Sequence, residues 1–146
     1  MKLHQISVFL ENKPGQLKLA CQRLAEANIN ILTLSLADSK QFGILRIISP
    51  EWERAQEVFK QANLTSNITE VLAVEVADKP GGLLNILGLI DEAGLNVEYM
   101  YAFTFGRGGK AVLVFRFNDP DAAIEKLKAS GINIISSMDL FDQKKK

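Results

Sequence analysis

Two short stretches carry residues that could hold a small charged ligand, "ENKPGQL" at residues 11–17 and "ADKPGGL" at residues 77–83. Each sets Pro-Gly between an apolar alternating run and an apolar run at helical spacing. A helix N-terminus exposes unpaired N–H groups and carries partial positive charge, which suits a carboxylate. Pro14 and Pro80 fix the turn, while Gly15, Gly81 and Gly82 leave the backbone unshielded for close approach. Asn12 in one stretch and Asp78 in the other sit beside that opening, as acceptors for an α-ammonium group. Gln16, Leu17 and Leu83 open the helical runs, and Asn30 and Asn96 offer donors and acceptors for whatever remains.

That chemistry is capture of a zwitterion, and its strength is modest. A few hydrogen bonds to charged groups contribute roughly 1.5–3 kcal/mol each before association costs. A total near ~4–8 kcal/mol corresponds to millimolar to micromolar dissociation constants, the range of reversible metabolite sensing. No tightly held cofactor is expected. The same residues also make a competent turn and cap with no ligand, and Asn30 and Asn96 could instead tie a loop to a strand edge. Both readings stand at this level.

The elements that must position these residues are built twice. The prolines of the two stretches are 66 residues apart, and sliding the chain by that amount sets Val8 on Val74, Lys13 on Lys79, Leu17 on Leu83 and Asn30 on Asn96. Ile6 meets Leu72, Leu24 meets Ile90, and Pro50 meets Pro120 after extra residues in the second hairpin. This is an internal duplication.

Ile6, Val8 and Leu10 alternate with polar residues, the period of a half-buried strand. Leu17, Cys21 and Leu24, like Leu83, Leu87 and Ile90, recur at helical spacing. "NINILTLSLAD" with "FGILRIIS", and "LNVEYMYAFTF" with "KAVLVFRF", read as strand pairs joined by the turns "SKQFG" and "GRGGK". Second helices follow Ser49-Pro50 and Asp119-Pro120, with Pro at the first helical turn. "NITE" and "NIISSMDLF" are the expected closing strands. The prediction is an α+β chain of two tandem ferredoxin-like βαββαβ units, residues 1–70 and 71–146, each an antiparallel sheet with its helices on one face.

The 17 basic residues balance the 17 acidic ones, so neither nucleic acid nor an anionic membrane is the expected partner. No apolar run approaches a membrane span, the N-terminal residues do not read as a signal peptide, and a lone cysteine makes no disulfide framework. A cytoplasmic location is expected. Cys21 aligns with Leu87 and reads as a buried small hydrophobe.

At these residues the chain resembles tandem ACT domains, ferredoxin-like modules that bind amino acids and regulate metabolic enzymes. "ENKPGQL" and "ADKPGGL" are similar to that family's strand-to-helix ligand loop, and "ANINI" and "AGLNV" to the segment entering its second strand. The first copy is similar to the serine-binding domain of phosphoglycerate dehydrogenases, with Asn12 and Asn30 matching two asparagines of the serine site. The loop histidine of that site is replaced by Leu10 and Val76, so the resemblance implies an amino-acid ligand without naming serine.

Other constellations fall short. "GRGGK" lacks phosphate-loop spacing and lies between strands, which makes Arg107 and Lys110 solvated charges of a hairpin. "GKAVLVFRF" echoes an RNA-binding strand, but the opening strand "LAVEVAD" has no aromatic and two acids. Tyr99, Tyr101, Phe103 and Phe105 form a period-two stripe whose face is expected to be buried, and Trp52 and Phe59 are core candidates. The single histidine, His4, has no nucleophile partner by motif, so no catalysis is expected. The reading is a non-catalytic regulatory module that binds an amino acid at its Pro-Gly loops and at domain or subunit interfaces. It acts on an amino-acid-metabolism enzyme and forms a homodimer. Its rival is an interaction module of the same fold with empty loops.

Overall fold

The computed structural model describes residues 1–38, 41–106 and 108–144. The tandem ferredoxin-like order is present. β1 (Leu3–Glu11), α1 (Gln16–Glu26), β2 (Thr33–Asp38), β3 (Phe42–Ile48) and α2 (Trp52–Gln61) precede β4 (Ser66–Ala77). Then follow α3 (Gly82–Glu92), β5 (Val97–Ala102), β6 (Lys110–Phe117), α4 (Pro120–Ala129), β7 (Ile134–Ile135) and α5 (Ser137–Lys144). The chain divides into two compact units, His4–Thr69 and Glu70 onward, the latter joined by Met1–Leu3. Within that unit the Lys2 ammonium lies 2.9 Å from Glu70 and 3.0 Å from Asp121.

In the first unit β1 and β3 pair antiparallel with Ile6 opposite Ile47 and Val8 opposite Leu45, so the apolar rows coincide. Those residues pack on Ala20 and Leu24 of α1 and on Ala55 and Phe59 of α2. Complete burial of a side chain such as Phe59 contributes roughly 1.5–3 kcal/mol. β2 forms the outer edge beside β3, and β1 is hydrogen-bonded to β4. The second unit repeats the arrangement. Leu72, Val74 and Val76 of β4 and Leu113 and Phe115 of β6 pack on Ile90 of α3 and on Ala123 and Leu127 of α4. Here β5 is the edge strand beside β6, and β7 pairs with Ala73 and Val74 of β4.

Four expectations are corrected. The closing strand "NIISSMDLF" is only Ile134–Ile135, after which the chain turns into α5. Ser136 makes that turn: its hydroxyl accepts from Asp139 N at 3.2 Å and its carbonyl from Leu140 N at 3.1 Å, capping the helix. The core stripe of α1 is Ala20 and Leu24, with Leu17 exposed and Cys21 half-buried instead of buried. Pro50 precedes the α2 cap, whereas Pro120 opens α4 behind the Asp119 cap as expected. The aromatic stripe, which a register break between Val97 and Tyr99 precedes, is buried only at Phe103, with Tyr99, Tyr101 and Phe105 half-buried. Val97 and Met100 pack the core, and Phe103 is buried beyond the strand end. Trp52 is half-buried and stacks on His4, ring centroids 4.4 Å apart. Arg107 and part of the "SKQFG" turn lie outside the described residues. Among the described residues no helix is long and apolar enough to cross a membrane.

Candidate functional site

The two Pro-Gly stretches form the same turn. Lys13 N donates to Glu11 O at 2.9 Å in the first unit, and Lys79 N to Ala77 O at 3.0 Å in the second. Gly15 (φ 90°) and Gly81 (φ 84°) then take the left-handed conformation at the helix N-caps. Glycine is needed there for that backbone angle, and the space where a Cβ would stand is open at both. Neither α1 nor α3 receives a hydrogen bond from a capping side chain. Leu19 N and Asn85 N reach the cap carbonyls of Gly15 and Gly81 at 3.0 Å. The amides of the first turn, at Leu17 and Leu83, precede that ladder, as helix geometry requires. Leu17 and Leu83 themselves are exposed beside the opening.

Gly82 serves a different end from the one its sequence position suggests. A Cβ on it would lie 1.9 Å from Ala77 O, so its absence lets α3 start against the end of β4. Gln16 occupies the matching place in the first unit.

Asn12, Pro14, Asp78 and Pro80 are exposed on the loops. Asn30 and Asn96 are exposed too, and among the described residues neither side-chain amide has a hydrogen-bond partner. They do not tie a loop to a strand edge. Nor do they join the loops within a unit. The end of β1 lies beside the end of β2, Leu10 and Asp38 both opposite Gly43, whereas Asn30 precedes the other end of β2. An eleven-residue helix, ~16 Å long at 1.5 Å per residue, separates the two groups. The second unit has the same order, with Val74 and Ala102 both opposite Leu113 and Asn96 before the other end of β5.

The loops differ in how they meet the neighbouring hairpin. Asn12 N donates to Gln41 O at 3.0 Å, closing the first loop onto its hairpin. Asp78 N makes no such bond among the described residues, and a cleft of about 190 Å³ opens between Asp78 and residues 102–106 and 110–112. Phe103, Phe105 and Lys110 border it. Lys110 is exposed, as its place in the hairpin implies, and the register sets it opposite Ala77, next to Asp78. Larger clefts lie elsewhere, such as one of about 580 Å³ along the polar face of α2 near Glu57 and Asn63, away from either loop. Among the described residues no group of three or more His, Cys, Asp or Glu could hold a metal ion.

The sequence profile described as an ACT domain pair matches residues 1–143. The chain belongs to that family. As an ACT domain pair it is similar to protein BT0572 from Bacteroides thetaiotaomicron, at 35% identity over 97% of this chain and 96% of that one, with a TM-score of 0.88. The regulatory subunit of aspartate kinase from Thermus thermophilus, in its ligand-free form, shares the fold at 15% identity, a TM-score of 0.66 and coverage of 90% and 92%. So does E. coli aspartokinase III, crystallised with aspartate and ADP, at 10% identity and a TM-score of 0.56; the match covers 88% of this chain and 31% of that one. Comparison with curated proteins returned no match.

Proposed function

We propose that this ACT domain pair is a non-catalytic regulatory module that binds a small amino acid or related metabolite at its Pro-Gly loops and passes the signal to a partner enzyme. The observation that carries the reading is the pair of helix mouths, built alike in both units with left-handed glycine caps, open space beside them and no capping side chain. The binding residues are Asn12, Pro14, Gly15, Gln16 and Leu17 in the first unit and Asp78, Pro80, Gly81, Gly82 and Leu83 in the second. Gly82 acts indirectly, by holding the helix against the strand.

Asn30 and Asn96 reach a ligand only across a domain or subunit interface, since helix length separates them from the loop of their own unit. This supports a homodimer. So do Phe9 (39% exposed) and Phe42 (48% exposed) on the helix-free side of the first unit. Binding preferentially to one arrangement of the dimer shifts its population and so communicates with the partner. The relatives named as subunits of aspartate kinase support a partner in amino-acid metabolism, and a cytoplasmic location belongs to the same proposal.

Thermal-shift screening with each of the twenty amino acids tests it. A ligand at ten times its dissociation constant adds about 1.4 kcal/mol of stability, enough to raise the melting temperature by several degrees. The exposed aromatics also favour a second reading, an interaction module with empty loops. That module would bind its partner with no response to any amino acid.

A further inference from the structure

We propose that the outward face of α3 binds the same face of a second copy of this chain, the two helices antiparallel, with Leu84 of each seated on Gly88 of the other. This rests on the homodimer of the reading above and gives it a surface, independent of any bound amino acid.

The internal duplication supplies the contrast. In α1 the positions i, i+4, i+7 and i+8 that share its outward face are Lys18, Gln22, Ala25 and Glu26. Gln22 donates to Glu26 at 3.0 Å, as on a helix that faces water. The matching positions of α3 are Leu84, Gly88, Asp91 and Glu92, all exposed. Leu84, at 71%, is more exposed than any other large apolar side chain among the described residues. Packing of α3 on its own sheet does not use it, because Ile90 is buried there and Ile86, Leu87 and Leu89 lie against that core. One exposed leucine is ordinary on a protein surface; the residues that share its face give this one a purpose.

Gly88 lies one turn beyond Leu84. Glycine weakens a helix interior, and here no close neighbour calls for it, since a Cβ would meet nothing within 4 Å. Its absence leaves a notch beside the Leu84 knob. A knob and a notch on one helix face fit each other across a two-fold axis, with the helices antiparallel. A glycine at the contact also lets the axes approach to the near end of the roughly 8–10 Å range of packed helices.

Charge points the same way. Residues Gly82 to Ile90 carry none, and α3 ends in Asp91 and Glu92 with no basic residue in its last turn. Those acids stand at the negative end of their own helix, where they are unfavourable, and neither carboxylate has a partner among the described residues. In α1, by contrast, Arg23 occupies the last turn, 3.7 Å from Glu26. An antiparallel pair centred at the level of Ile86 brings Asp91 of one copy level with Gly81 of the other, at the positive end of its helix. The face complements itself in shape and in charge, which selects a second copy over a foreign partner.

The test is analytical ultracentrifugation of the full chain, as the wild type and as the variants Leu84→Lys and Gly88→Glu, alone and mixed. Both positions face solvent in the single chain, so circular dichroism should show each variant folded like the wild type. The wild type is expected to dimerise, and each variant alone to dimerise about tenfold more weakly or worse, because each buries unpaired charge. An equimolar mixture should regain the dimer. There the introduced ammonium of one chain meets the introduced carboxylate of the other, while Leu84 and Gly88 still mesh on the second side. A wild type that stays monomeric, a dimer that both variants leave unmoved, or a mixture no more dimeric than its parts overturns the assignment. A dimer unmoved by both variants leaves the homodimer of the reading above in place on another face. Absence of any amino-acid response overturns the sensing part of that reading and not this surface.

Discussion

A Cβ on Gly82 would stand 1.9 Å from the carbonyl oxygen of Ala77, whereas one on Gly81, its neighbour in sequence, would meet nothing within 4 Å. The two glycines of "PGG" therefore answer to different forces. Gly82→Ala is expected to cost about 1–3 kcal/mol or more, the range for forced overpacking. Gly81→Ala should cost roughly 1–2 kcal/mol through its left-handed backbone alone. Urea denaturation of the two variants measures the difference, and equal costs would mean that the strand end yields.

Core truncation separates the burial classes. Phe59→Ala should destabilise by about 3–5 kcal/mol, because the ring is fully buried between the helices and the sheet. Leu84→Ala, at a side chain 71% exposed, should stay within about 0.5 kcal/mol. Thermal unfolding of both variants checks the contrast.

His4 and Trp52 are the chain's single histidine and single tryptophan, and their rings stack at an interplanar angle of 17°. His4→Ala removes one cover of the indole. Acrylamide quenching of Trp52 emission should rise in that variant, while the melting temperature moves little.

The Lys2 ammonium is held above its ordinary pKa of 10.5 by hydrogen bonding to Glu70 first and Asp121 second. A raised value in the folded state means that the contribution is complete below the ordinary value and lost as pH rises through the folded one. Denaturation midpoints of the wild type and Lys2→Met should therefore differ at neutral pH and converge in strong alkali. A gap that persists there would assign the effect to packing of the lysine stem instead.

How much of this was legible in the sequence depended on the range of the force involved. Ile6, Val8 and Leu10 announced β1 because a strand with one buried face must alternate, and the 66-residue repeat carried that reading across the chain. The phase of α1 was misjudged because Leu17 and Cys21 are apolar residues at the margin of the core, while the small Ala20, fully buried, gives no strong signal. β7 and α5 were merged because "NIISS" has strand character, and only the capping bonds at Ser136 end it. The Pro-Gly loops were visible as loops. The reason for Gly82 is a close approach across the strand-to-helix turn, and the cleft that joins Asp78 to Lys110 is a meeting across a hairpin; local patterning encodes neither.

The central claim, that open main-chain amides at the mouths of α1 and α3 attract an amino acid, is tested most directly by calorimetric titration. The full chain would be titrated with each of the twenty amino acids, beside a Gly15→Val, Gly81→Val double variant. The account predicts saturable heat for at least one amino acid, with Kd in the millimolar to micromolar range, and its loss in the double variant. Absence of saturable heat for all twenty up to about 10 mM, where even the weak end of that range would register, would contradict it.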